Sequence, residues 1–174
     1  MRWVALLRAV NLGARNKVPM AELRALLEEE GYENVRTYIA SGNIVLDGPR
    51  GAAALSSKLE ALVEDAFAVT TTAILRLPST LAATVAKHPF DDVSDTHVAF
   101  LAARPTKTAV ARLDAALSET DHAVVEGSDV YLRLPRGVHG SRLSVARIET
   151  LLGVPATLRN WRTVAALAEL AAEA

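Results

Sequence analysis

The sequence predicts an α+β protein of two packed, related ferredoxin-like halves, each a split β-α-β unit, with an added C-terminal helix. Three observations carry this expectation. The string Val4-Ala-Leu-Leu-Arg-Ala is answered by Val98-Ala-Phe-Leu-Ala-Ala, and the run at 35–47 is answered more loosely by the run at 123–134, as expected of an internal duplication. Strand-like and helix-like stretches follow the order β-α-β-β-α-β, the order of the ferredoxin-like unit. No long linker interrupts the chain, so the halves are expected to pack intimately. The expected organisation is an N-terminal ferredoxin-like half at 1–77, a connecting helix and loop at 78–96, and a related half with the terminal helix at 97–174.

Each element has a local reason. Residues 2–8 alternate and are rich in strand formers, so they read as a strand. A polar loop at 11–17 precedes Pro19, a residue suited to the first helical position, and Met20, Leu23, Leu26 and Leu27 then form one apolar stripe that Gly31 closes. Two strands at about 34–40 and 43–47 are joined tightly at Ser41-Gly42. A second stripe of Leu55, Leu59, Leu62 and Val63 marks a helix, and a Thr-rich strand is expected at about 69–76. Pro78 opens a short connecting helix that ends before His88-Pro-Phe-Asp-Asp. The second copy reads as strand 97–102, helix 106–118, strands 122–126 and 129–134, and helix 142–152 stopped by Gly153. Its last strand is no more than a stub at 156–159, and Val164, Leu167 and Leu170 mark the final helix.

Composition narrows the classes of function. The chain has 174 residues, 51% hydrophobic and 22% charged, and so resembles an ordinary globular protein. It has no cysteine, which removes disulfides, thiolate nucleophiles and cysteine-based metal centres. Arg8 cuts the first apolar run short of a secretory core, and no segment has the apolar length of a membrane span. A cytoplasmic protein without a membrane partner is the expectation. The net charge of −1 gives no general attraction to nucleic acid. Arg36, Tyr38 and Arg76 are expected on the sheet face opposite the helices, but the aromatic-rich string of an RNA-stacking sheet is missing, so a nucleic-acid role ranks behind the others.

Polar strings at strand ends and helix starts are the candidates for chemistry. The loop holding Arg8, Asn11, Gly13, Arg15 and Lys17 leads from a strand into a helix, where backbone N–H groups and the helix dipole favour an anion. The same residues also suit a plain connection with turn geometry. Pro135-Arg136-Gly137-Val-His139-Gly140-Ser141-Arg142 repeats the design, with Ser141 expected to cap the following helix. Leu158-Arg159-Asn160-Trp161-Arg162-Thr163 combines a cap, a buried ring and two permanent charges, which serve equally as a docking plug. Asp91-Asp92-Val-Ser-Asp95 imitates an aspartate-rich magnesium motif, but in a loop it is expected to be a solvated turn. The four histidines show no metal-ligand spacing, and no nucleophile–base pair is evident.

Taken in order, several strings carry a resemblance over nearly the full length. They are Ala5-Leu-Leu-Arg8-Ala-Val-Asn11-Leu-Gly13, Asn16-Lys17-Val-Pro19-Met, Thr37-Tyr-Ile-Ala-Ser41-Gly42-Asn43, Ser141-Arg-Leu-Ser, Leu152-Gly-Val-Pro-Ala-Thr157 and Arg159-Asn160-Trp161-Arg162-Thr163-Val. With them the chain resembles the bacterial family known as domain of unknown function 1697. It departs from that family's pattern at Ala9 and Ala14, where glycine is typical, and at Arg142, where lysine is common. The resemblance implies a small cytoplasmic α+β protein with a ferredoxin-like part, and it supplies no catalytic residues. The combined expectation is a small anionic ligand held in a cleft between the halves by Arg8, Asn11, Lys17, Ser41, Asn43, Arg142, Arg159 and Asn160, with no metal and no cofactor. The alternative is a non-catalytic interaction or scaffold protein whose polar strings are caps and plugs.

Overall fold

In the computed structural model, which describes residues 1–173, the chain forms two units: Met1–Ala82 with the residues from Ala166 onward, and Ala83–Ala165. The first unit contains β1 (Arg2–Leu7), α1 (Met20–Glu29), β2 (Glu33–Tyr38), β3 (Asn43–Asp47), α2 (Ala52–Phe67) and β4 (Ala73–Arg76), and α3 (Pro78–Ala86) follows. Its sheet runs β2-β3-β1-β4 with every neighbouring pair antiparallel. Because β1 and β2 bracket β3, this is the split β-α-β arrangement of the ferredoxin-like fold. Alternate strand residues Ala5, Leu7, Ile44 and Leu46 meet Leu23 and Leu27 of α1 and Leu55, Leu59 and Val63 of α2 in one buried core. Each fully buried leucine contributes about 1.5–3 kcal/mol relative to exposure.

The second unit repeats the plan. It contains β5 (Thr96–Leu101), α4 (Lys107–Ala115), β6 (His122–Glu126), β7 (Asp129–Arg133), a one-turn α5 (Gly137–Gly140), α6 (Val145–Leu152) and β8 (Ala156–Asn160), and α7 (Trp161–Ala172) follows. The antiparallel order β6-β7-β5-β8 is the same permutation as in the first sheet. Ala99, Leu101, Val130, Leu132 and Ala156 face Ala109 and Leu113 of α4 and Ile148 and Leu152 of α6. The protein is thus α+β, with two similar four-stranded halves and a C-terminal helix, as the sequence predicts.

Four details depart from expectation. The last strand of the second half is complete: β8 pairs with β5 from Leu101↔Ala156 to His97↔Asn160. Arg159 and Asn160 do not look strand-like by themselves, but the β5 ladder overrides that weak preference. Conversely, β4 begins at Ala73 and not at 69. β1 ends at Leu7, and at Ala9 (φ 57) the chain turns away, so beyond the single bond from Arg8 N–H to Thr72 O the ladder has no strand to continue on. α6 starts at Val145 under a Ser144 cap, whose hydroxyl accepts from Arg147 N–H at 3.2 Å. Ser141 instead donates to the Asp121 carboxylate at 2.8 Å and accepts from Leu143 N–H at 2.9 Å. Finally, α4 ends at Ala115, short of 118.

One surface pair ties β1 to β3. Arg2 grips the Asp47 carboxylate with two bonds of 3.0 Å, and the Asn34 amide donates to it at 2.7 Å. The Arg2 hydrogen bond, then that of Asn34, holds the Asp47 carboxyl below its usual range. A folded-state pKa below the unfolded one gives stability that is present above the ordinary carboxylate pKa and lost as pH falls through the lowered value. The pair is partly exposed, so its contribution is about 1 kcal/mol or less. Melting curves of wild type and Asp47→Asn are expected to separate at neutral pH and converge in acid.

Candidate functional site

In the first unit the polar strings meet at one end of the sheet. Leu7 N–H donates to Gly42 O at 2.8 Å, which lays the β2–β3 turn against the end of β1. Asn11 then staples loop to turn: its amide donates to Ala40 O at 2.6 Å and Val18 O at 2.9 Å, while its oxygen accepts from Val18 N–H at 2.8 Å. Asn43 is fully buried and donates to Tyr38 O at 3.0 Å and to the Ser41 hydroxyl at 2.9 Å. Asn43 is thus bonded to Ser41, and Asn11 to the main chain of the same turn at Ala40. Arg8 leaves the same strand end, its N–H donating to Thr72 O at 2.9 Å and its carbonyl accepting from the Thr71 hydroxyl at 2.7 Å. Lys17 and Arg15 are exposed on the loop.

This loop is conformationally demanding. Ala9, Asn11, Gly13 and Asn16 all have φ between 50 and 57, and Ile39 in the facing turn has φ 48. Left-handed backbone is costly for Ala and more so for a β-branched residue. Asn16 offsets part of this by donating to Ala9 O at 2.7 Å. Ala9 stands in left-handed backbone at a position where the resembled pattern has glycine. On the opposite sheet face Arg36, Val45, Val4 and Arg76 stand side by side in register, and Val4, Val45 and Arg76 are buried.

In the second unit β8 delivers Arg159 and Asn160. Arg159 is buried and donates to the Thr157 hydroxyl at 2.7 Å and to Leu158 O at 2.9 Å. Burial pushes its guanidinium down to about 10, so it stays charged at neutral pH. Asn160 accepts from Thr163 N–H at 2.9 Å and thereby caps α7. Trp161 places its ring 4.3 Å from that of His88, which also meets Phe90 and Tyr131 edge-on. The Tyr131 hydroxyl donates to Thr84 O at 2.7 Å, and burial raises its phenol to about 12. Asp92 forms the expected turn, accepting from Ser94 N–H at 2.9 Å and from its hydroxyl at 2.8 Å. Among the described residues, no group of three or more His, Asp or Glu side chains could hold a metal ion.

Arg142 lies apart from β8, on an open hollow of about 530 Å3 lined by Leu117, Ser118, Glu119, Thr120, Arg136 and Arg142. The bond from Ser141 to Asp121 fixes this geometry, because it holds the α5–α6 connection against the α4–β6 loop. Among the described residues neither Arg136 nor Arg142 enters a hydrogen bond or ion pair, and both are exposed. Arg136 belongs to the same Gly-containing string as Arg142, so its charge was visible in the sequence. Its meeting with Ser118 and Thr120 was not.

Fold and polar strings together define a duplicated ferredoxin-like α+β protein. The chain belongs to the family described as "Protein of unknown function (DUF1697)", whose model matches residues 1–131. Among solved structures it is similar in fold to the conserved bacterial protein SP0830 from Streptococcus pneumoniae, with TM-score 0.70, 24% identity and 98% of each chain covered. No curated protein matches it. Among the described residues no helix is long and apolar enough to cross a membrane.

Proposed function

We propose that the protein binds a small anionic ligand, anchored in the second unit by Arg136 and Arg142. The observation that carries this reading is a pair of uncommitted guanidinium groups lining the same hollow as the hydroxyls of Ser118 and Thr120. Guanidinium takes carboxylate or phosphate by paired N–H donors, and hydroxyls orient the remaining oxygens. The hollow is open to water, so each arginine contributes about 1 kcal/mol rather than the larger value of a dry site. The first-unit candidates Arg8, Lys17 and Ser41 remain part of the proposal as a second place of positive charge and hydroxyl donors.

Inorganic phosphate is the simplest probe. It is expected to raise the melting temperature of the wild type at constant ionic strength, since a ligand of the folded state stabilises by mass action. Arg136→Ala and Arg142→Ala should each weaken the phosphate effect roughly five- to tenfold, taking tenfold as about 1.4 kcal/mol. Melting without phosphate should not change, because neither side chain holds anything in the fold. Undiminished stabilisation of the double variant would remove the hollow from consideration.

A scaffold reading is favoured by one specific observation: the amides of Asn11, Asn43 and Asn160 are committed to main-chain groups. On that reading phosphate moves no melting curve, and these asparagines matter for stability alone.

A further inference from the structure

We infer that β6 is a self-complementary sheet edge that takes β6 of a second copy of this chain, antiparallel, about a twofold axis at Val124. The position of β6, its outward backbone groups, the contrast with the other sheet edges and its charges lead there.

β6 lies at the edge of the order β6-β7-β5-β8, so one side of its backbone faces away from the sheet. Which groups face out follows from the ladder. Leu101 N–H donates to Ser128 O at 2.8 Å, so Ser128, Val130 and Leu132 direct their peptide groups toward β5. By alternation Asp129, Tyr131 and Arg133 direct theirs toward β6, where their register partners are Glu126, Val124 and His122. Ala123 and Val125 therefore turn N–H and C=O outward. Among the described residues no hydrogen bond is recorded on that outer side.

The other edges are protected in the ways edge strands commonly are. β2 is broken by a register shift between Glu33 and Arg36 and carries both charges. β4 has four residues, and β8 is buried at Ala156, Thr157 and Arg159. By contrast, β6 runs unbroken, alternates exposed with half-buried positions, and has Ala-Val-Val at its centre with no Lys, Arg or Pro. Val124 is 39% exposed.

Charge then selects the occupant. In an antiparallel pair centred on Val124, Ala123 faces Val125 of the second copy, and Val124 faces its own counterpart. His122 faces Glu126 of the other copy at both ends. Glu126 is a carboxylate that draws cations, Lys87 at 2.7 Å and the charge of Arg104, which favours it as the partner of His122. Ala123 and Val125 of each copy supply two outward N–H and two outward C=O groups, enough to close both hydrogen-bonded pairs.

The test is the solution mass of the full chain over a rising concentration series, by light scattering or sedimentation. Wild type is expected to move from one chain toward two. Val125→Pro removes an outward N–H and leaves the β6–β7 ladder intact; Val124→Lys and Val124→Glu put like charges at the axis. Each should weaken association about tenfold or more, as two such charges or a lost pair of bonds would. A mixture of Val124→Lys with Val124→Glu should restore the two-chain mass, which a merely misfolded variant could not do. In wild type the Ala123 and Val125 amides should exchange more slowly as concentration rises. A one-chain mass at every concentration overturns the inference, and so does a dimer that survives Val125→Pro and Val124→Lys.

Discussion

Gly42→Ala is expected to destabilise the protein by about 3 kcal/mol, from a left-handed backbone cost of roughly 1–2 and an overpacking cost of roughly 1–3. Gly42 has φ 77, and a Cβ there would lie 2.6 Å from Val10 Cγ2 and 2.8 Å from Leu7 Cβ. The Leu7 atom is bonded directly to the main chain of β1, so it cannot rotate away. Relief requires the turn to retreat, which stretches the 2.8 Å bond from Leu7 N–H to Gly42 O. Gly13→Ala is the control: φ is 57 but nothing lies within 4 Å, so only the backbone cost of about 1–2 kcal/mol applies. For a chain of this size the two variants should differ by several degrees in melting temperature, at about 2–4 °C per kcal/mol. Equal losses in denaturant titrations would show that close approach at Gly42 is not what its position demands.

The strands and helices that organise both cores were legible because their apolar spacing is local. Leu55, Leu59 and Val63 mark a helix, and all three are buried against the sheet. What the sequence does not display depends on residues distant along the chain. Ser141 and Ser144 both suit a helix cap; Ser144 takes the role because Asp121, from another loop, holds the hydroxyl of Ser141. β8 exists through its ladder with β5, and nothing in Ala-Thr-Leu-Arg-Asn announces that partner. The candidate residues divide in the same way. That Asn11 sits in a polar loop was plain, but that its amide spans to Ala40 was not. Likewise the charge of Arg142 was evident, whereas the opposing Ser118 and Thr120 came only with the fold.

Asn11→Ala is expected to lose about 2–4 kcal/mol, because it removes several bonds and leaves polar main-chain groups to be resatisfied. The side chain makes bonds of 2.6, 2.9 and 2.8 Å to Ala40 O, Val18 O and Val18 N–H. Each contributes roughly 0.5–1.5 kcal/mol net, and stranding a buried partner costs more. Val18 is fully buried, so its main-chain groups cannot turn easily to water. Backbone shape adds to the loss: Asn11 has φ 53, a conformation asparagine tolerates better than alanine. Two further variants separate these contributions. Asn11→Gly keeps the backbone conformation and loses the bonds, so it should be milder than Asn11→Ala by about 1 kcal/mol. Asn11→Asp keeps the acceptor for Val18 N–H but loses both donated bonds and sets a carboxylate against two carbonyl oxygens. It should therefore be at least as damaging as alanine at neutral pH and recover partly in acid, where a protonated carboxyl can again donate. Denaturant midpoints for the three variants, read at neutral and acid pH, check the order. If all three fall within about 0.5 kcal/mol of wild type, the range of surface substitutions, Asn11 staples nothing and its place at the loop must be explained by a ligand.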